Sequence, residues 1–152
     1  MKIMDFLCSE AINVDLTGKT KEEVIKELVQ LLGKAKKIKD VHIIVKILME
    51  REKLGSTGIG QGIAIPHGKT DSIKNIVAAF GISKKGVDFD ALDGEPVNLI
   101  FLLIAPHDSA GAHLKALAKI SRLLKDKFFR QALRESKDSK EVIKIIKEED
   151  EY

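Results

Sequence analysis

Four histidines stand in this chain, His42, His67, His107 and His113, and one of them has surroundings that prepare an imidazole for chemistry. His67 follows Pro66 and precedes Gly68, at the end of a stretch from Gly55 to Gly68 that holds five glycines and a proline among apolar residues. Pro66 fixes its own φ and restricts Ile65, while Gly68 brings no side chain, so the ring is expected on a stiff backbone with open space beside it. The plain alternative is a histidine in a surface turn. For attack on phosphorus, an imidazole must be neutral at the attacking nitrogen, held in one tautomer through the other, and faced by groups that stabilise spread negative charge. Arg51, together with the amides and hydroxyls of Ser56, Thr57 and Gly58, is placed just upstream to supply that stabilisation. His113 is a second candidate, expected in the first turn of a helix, where free amides and the positive dipole end favour anions and lower a histidine's pKa. A solvated helix arginine and a partly buried helix-start residue are the ordinary alternatives for Arg51 and His113. His42 falls beside core residues on a helix, and His107 in a loop before Asp108.

Other chemistries fall away. Gly68-Lys69-Thr70 has the ending of a phosphate-binding P-loop, but that motif needs a glycine at position 63, where Ile63 stands. Gly58, Gly60 and Gly62 are spaced by two throughout and miss the dinucleotide fingerprint, whose last gap is three. A metal site of His67, His107 and His113 matches no helical zinc pair, and Cys8 is remote in sequence, so neither a metal nor a cofactor is expected.

At 152 residues the chain is expected to form one domain, 1–152, with a real core. A hydrophobic share of 44% with 32% charged residues is the mixture of a folded protein, not of a disordered one. The 26 basic and 23 acidic residues leave +3, spread along the chain, so nothing in the charge demands nucleic acid or anionic lipid. A lone Cys8 cannot form an internal disulfide and suits a reducing cytosol. Asp5 and Glu10 prevent a signal-peptide core near the start, and the longest apolar run, Leu99 to Ala105, is far short of the roughly 20 residues of a membrane helix. A cytoplasmic protein without membrane insertion is the expectation.

The elements that must position His67 follow from periodicity and caps. Thr20-Lys21-Glu22-Glu23 reads as a capping box opening a helix from about 20 to 33, which ends at Gly33. Asp40 is expected to cap a second helix with Val41, Ile44, Val45 and Leu48 inside, running out near Arg51 to Gly55. The glycine-rich stretch then reads as short extended pieces joined by tight turns. Ile76 to Ile82 and Val97 to Ile104 have the apolar density of strands covered on both faces, with a polar turn region from Ser83 to Pro96 between them. A third helix follows Pro106 to Ala112, with Leu114, Leu117, Ala118 and Leu124 on one face and Ile120 and Leu123 widening it. Phe128, Phe129, Ala132 and Leu133 predict a short fourth helix. Asp138 to Glu141 opens a fifth with Val142, Ile145 and Ile146, and the tail from Glu148 to Tyr152 is expected to fray. The pattern predicts an α/β fold, a single-domain mixed β-sheet flanked by helices.

Arg51, Gly55-Ser56-Thr57-Gly58-Ile59-Gly60, Gly62-Ile63-Ala64-Ile65-Pro66-His67 and His113-Leu114 together resemble the enzyme IIA domain of the bacterial phosphoenolpyruvate-dependent phosphotransferase system, fructose/mannitol class, including its nitrogen-regulatory branch. The similarity covers nearly the whole chain. It implies a mixed sheet flanked by helices and a phosphocarrier whose histidine, His67 here, takes a phosphoryl group on Nε2 from phosphorylated HPr and passes it to a cysteine of an enzyme IIB. It further implies that the positions of Arg51 and His113 assist, and that in the nitrogen-regulatory branch partners respond to the phosphorylation state. Phosphohistidine is labile, so such transfer needs mainly positioning and charge neutralisation, without nucleotide. Ile59, Ile63 and Ile65 are expected to shield the phosphoryl and to meet partners if they reach the surface. The sugar, the branch and the oligomeric state stay open at this level.

Overall fold

The structure, a computed structural model, describes residues 1–151, Ala110 by its backbone alone. After a short 3-10 turn at Ile3–Asp5 come β1 (Leu7–Asn13), α1 (Lys21–Lys34), α2 (Val41–Leu54), β2 (Gly58–Gly60), β3 (Ile63–Ala64), β4 (His67–Thr70), β5 (Val77–Val87), β6 (Val97–Pro106), α3 (Ala110–Leu123), α4 (Lys127–Arg134) and α5 (Ser139–Glu149). The strands form one mixed sheet in the order β1-β5-β6-β3-β2, and β4 also pairs with β6. β5 and β6 run antiparallel through its centre, while β1 lies parallel to β5, and β3 and β4 lie parallel to β6.

β6 shows why both strand faces are apolar. Ile100, Leu102 and Ile104 point into a core shared with α1 and α2, whereas Leu99, Phe101 and Leu103 point into a core shared with α3, α4 and α5. Residues alternate across a strand, so a strand sandwiched between two helical layers must be apolar at every position.

The helix starts were legible and one helix end was not. Thr20 Oγ1 accepts the Glu23 amide, Asp40 the Ile43 amide and Asp138 the Glu141 amide. The reciprocal carboxylates of Glu23 and Glu141 reach past the cap, to the amides of Lys19 and Lys137. α1 does not stop at Gly33. Gly33 lies within the helix, and since a Cβ there would lie 2.7 Å from Val41 Cγ2, its missing side chain serves the close approach of α2. The helix runs on to Lys34 and is closed off by Lys36, left-handed at φ 60°, with the Lys36 and Lys37 amides donating to the Gly33 and Leu32 carbonyls at 3.0 Å.

Three further expectations change, and one strand had not been expected. Ser83 to Val87 is not a turn but the continuation of β5 past a register shift, and Phe89 beyond it is fully buried. β1, which no periodicity announced, forms the sheet's far edge. The buried side of α3 is His113, Ala116, Ile120, Leu123 and Leu124, while Leu114 is 68% exposed. Near the terminus, the tail is held through Asp150: its side chain is 3% exposed, pairs with Lys119 at 2.7 Å and accepts the Ile3 amide. Tyr152, the last residue of the expected frayed tail, lies outside the described residues.

Candidate functional site

β3 and β4 lie along the same edge of β6, with Ile63 and Ala64 opposite Leu99 and Ile100, and His67 to Thr70 opposite Leu103 to Pro106. Ile65 and Pro66 interrupt the ladder between them, and proline, lacking an N–H, belongs at such a break. The Pro66 carbonyl still accepts the Leu103 amide at 2.9 Å, which anchors the chain where His67 begins. β2 and β3 form a two-residue hairpin in which Gln61 (φ 58°) and Gly62 (φ 79°) are both left-handed, the geometry of a type I′ turn. Its outer side is tied by the Gln61 amide to Asp93 at 2.9 Å and by Arg134 to the Gln61 carbonyl at 2.8 Å. Two donated amides, from Gln61 and Glu95, hold the Asp93 carboxyl below its ordinary pKa.

Gly68 does not open space beside the ring. A Cβ on it would meet Ile47 Cγ2 at 2.8 Å, so the missing side chain lets α2 pack directly on β4. His67 and Lys69, on either side of Gly68, point to the other face, toward α3. The result is an open cavity of about 680 Å3, lined by Ile47, Glu50, Arg51 and Leu54 of α2, His67 to Lys69 of β4, and His113, Leu114 and Leu117 of α3.

In this cavity the His67 Nδ1 lies 2.8 Å from the Ile65 carbonyl oxygen. A carbonyl can only accept, so Nδ1 carries a proton, and it is Nε2 that holds the lone pair whenever the ring is neutral. The His113 ring stands edge-on to His67, centroids 5.5 Å apart. His113 is 6% exposed, and its Nε2 has no hydrogen-bond partner among the described residues. Burial, then the charges of His67 and Lys69, push the His113 pKa below the usual histidine value. Arg51, in the last turn of α2, donates from one terminal nitrogen to the Gly55 carbonyl at 2.8 Å, which ties the guanidinium to the start of the glycine-rich segment.

Arg51, His67 and His113 are therefore gathered in one cavity; Ser56, Thr57 and Gly58 are not. Ser56 Oγ donates to the Phe89 carbonyl and accepts the Gly58 amide at 2.9 Å. The Thr57 amide and hydroxyl both donate to the buried carboxylate of Glu52. These donors serve the chain itself, and an anion there would face Glu52. Ile63 and Ile65, expected as a surface shield, are 3% and 4% exposed and belong to the core. The apolar rim is instead Ile47, Leu54, Leu114 and Leu117. His107 stands apart, 3.8 Å from Asp71, and among the described residues no cluster of three potential metal ligands occurs. Sequence reasoning missed Glu52 and the lining residue Lys69, which it had set aside with the rejected P-loop ending.

A mixed sheet between two helical layers, with a tautomer-fixed histidine on a strand in one open cavity with an arginine and a second histidine, defines a histidine-centred α/β protein. The chain belongs to the family described as phosphoenolpyruvate-dependent sugar phosphotransferase system, EIIA 2, whose model matches residues 5–149. It is 42% identical over 150 residues to the PTS system fructose-specific EIIABC component of Bacillus subtilis; the match covers 99% of this chain and 24% of that protein. It is 38% identical over 148 residues to a nitrogen regulatory protein of Bradyrhizobium diazoefficiens, covering 96% of this chain and 95% of that one. Among solved structures, the nitrogen regulatory protein IIA-Ntr of Neisseria meningitidis matches with a TM-score of 0.88 and 36% identity, covering 95% of this chain and 98% of that one. Among the described residues no helix is long and apolar enough to cross a membrane.

Proposed function

We propose that this EIIA-family chain is a phosphocarrier that accepts a phosphoryl group on His67 Nε2 from phosphorylated HPr and passes it to a cysteine of an enzyme IIB. The observation that carries this reading is the Nδ1 contact to the Ile65 carbonyl, since it leaves Nε2 as the nucleophile beside Arg51 and an unpartnered His113. From a donor imidazole protonated on its other nitrogen, the phosphoryl leaves as that P–N bond breaks, and the electron pair stays with the donor ring, now neutral. The His67 lone pair forms the new P–N bond, and the resulting phospho-imidazolium keeps its Nδ1 proton on the Ile65 carbonyl. No proton has to move. The Arg51 guanidinium and a proton on His113 Nε2 are available to the incoming oxygens.

Leu54, 85% exposed, and Leu114 rim the cavity and provide an apolar contact for successive partners. The alternative reading gives the same site a nitrogen-regulatory role, in which partners bind according to the phosphorylation state; the likeness to a nitrogen regulatory protein along nearly its full length supports keeping it beside the sugar one. The test is incubation with phosphoenolpyruvate, enzyme I and HPr: the parent takes up one phosphoryl and His67→Ala none. A parent that takes up none, or a His67→Ala variant labelled like it, overturns the proposal. Onward transfer to a sugar-specific IIB, against retention and phosphorylation-dependent capture of a regulatory partner, separates the branches.

A further inference from the structure

Lys69 lies two residues beyond His67 on the same face of β4, opposite Ala105 where His67 is opposite Leu103. Alternate residues of a strand are roughly 6.5 Å apart, about the length of a lysine side chain, so the Lys69 side chain is long enough to bring its ammonium to a group carried on the His67 ring. Lys69 is half-buried and lines the cavity with Arg51, His67 and His113, where Glu50 is the one carboxylate among the lining residues. Among the described residues no carboxylate lies within ion-pair distance of Lys69. By contrast, Lys21 and Lys119, the comparably sheltered lysines of this chain, each meet a buried acid, Glu52 at 3.1 Å and Asp150 at 2.7 Å. A sheltered ammonium without a counter-charge is costly unless an anion arrives to meet it.

Resting on the phosphocarrier reading of His67, we propose that Lys69 is a further phosphoryl-binding residue, whose ammonium pairs with the phosphoryl oxygens on His67 and sets how far the transfer equilibrium lies toward the phosphorylated form. Arg51 approaches from α2 and His113 from α3, so Lys69 completes the charge around the group from the strand itself. It transfers no proton; it supplies charge-assisted hydrogen bonds that exist only when the phosphoryl is present. Its influence on the empty site is already felt, since its charge is among the causes that lower the His113 pKa.

The experiment compares the parent with Lys69→Gln and Lys69→Arg, using purified HPr phosphorylated by enzyme I as the probe. The equilibrium distribution of phosphoryl between HPr and His67 is read, and the histidine ring protons are titrated by NMR without phosphate. Lys69→Gln should shift the equilibrium about tenfold against His67, with Lys69→Arg within about threefold of the parent. In Lys69→Gln the His113 titration should also move to higher pH, a change that a merely structural lysine would not give while the melting temperature holds. A labelled parent whose equilibrium constant is unchanged in Lys69→Gln overturns the role of Lys69 and leaves the phosphocarrier reading standing. A parent that takes no label overturns both.

Discussion

The glycine-rich segment divides into two halves that treat hydrogen bonds in opposite ways. From Ser56 to Gln61 the polar groups noted above are engaged within the chain: Ser56 with Phe89 and Gly58, Thr57 with Glu52, and the Gln61 amide with Asp93. From His67 onward the chain leaves capacity unused, with a lone pair at His67 Nε2, an unpartnered His113 Nε2 opposite, and a Lys69 without a carboxylate. Buried polar groups are ordinarily satisfied, and the exceptions call for an explanation. Among the described residues Arg130 Nε and Asp150 Oδ1 are exceptions elsewhere in the fold, but His113 Nε2 lies in the same cavity as His67 and Lys69, which makes the first half a frame and the second half the candidate site.

That division assigns different losses to different residues. His67→Ala should lose phosphoryl uptake entirely and keep its melting temperature within a few degrees, since the ring is only half-buried. Next, Arg51→Ala should slow transfer by about a hundredfold, the scale of removing one donor to a developing anionic charge, with little change in thermal unfolding. Equal rates for parent and Arg51→Ala in rapid-quench transfer would return Arg51 to a helix cap of the Gly55 carbonyl.

Glu52 tests the frame. Its side chain is 3% exposed, pairs with Lys21 at 3.1 Å and accepts both donors of Thr57. Removing one member of such a cluster strands the others, so Glu52→Ala should cost about 3 kcal/mol in urea unfolding. Since Thr57 and Gly55 set the backbone that Arg51 grips, transfer should fall only as far as the loop loosens. A variant with parent-like stability and no transfer would erase the line between frame and site.

How much of this was legible follows the range of the interactions. Thr20, Asp40 and Asp138 act on amides three residues away, so their caps could be read directly. The continuous apolar runs of β5 and β6 likewise carry their double burial in their composition. His67 was legible because proline and glycine bracket it, although the role inferred for Gly68 was inverted: the close neighbour is Ile47 of α2 and not open solvent. Glu52 and Asp150 were illegible, because a charged residue reads as exposed until its partner, Lys21 or Lys119, is brought from far along the chain. The donors of Ser56 to Gly58 also look available in sequence, yet the Ser56 hydroxyl is taken by Phe89 across the fold, both Thr57 donors by Glu52 five residues before, and the Gly58 amide by Ser56. Pairing in the fold, at long range for Glu52, Asp150 and Ser56 and at short range for Thr57 and Gly58, decides which polar groups are free, and residue type does not report it.

The smallest expected effect is a pH dependence that separates the two halves through stability alone. Burial, with the nearby charges of His67 and Lys69, holds His113 below the ordinary histidine value of 6.5, so the folded chain keeps this ring neutral where the unfolded chain protonates it. Over that interval the unfolded state binds more protons, and stability must rise with pH. The contribution of neutral His113 is therefore complete above about pH 6.5 and is lost as pH falls through the folded value, with a slope of at most about 1.4 kcal/mol per pH unit. His113→Gln removes this titration, so the stability difference between variant and parent, measured by urea unfolding at pH 7.5 and 5.5, should move in the variant's favour at the lower pH. A phosphoryl on His67 supplies the missing partner for a protonated His113 and should flatten the parent's slope in the same interval. An identical slope in parent, variant and phosphorylated parent would mean that the unpartnered nitrogen of His113 carries no cost in the empty site, and the contrast between the two halves would then rest on His67 and Lys69.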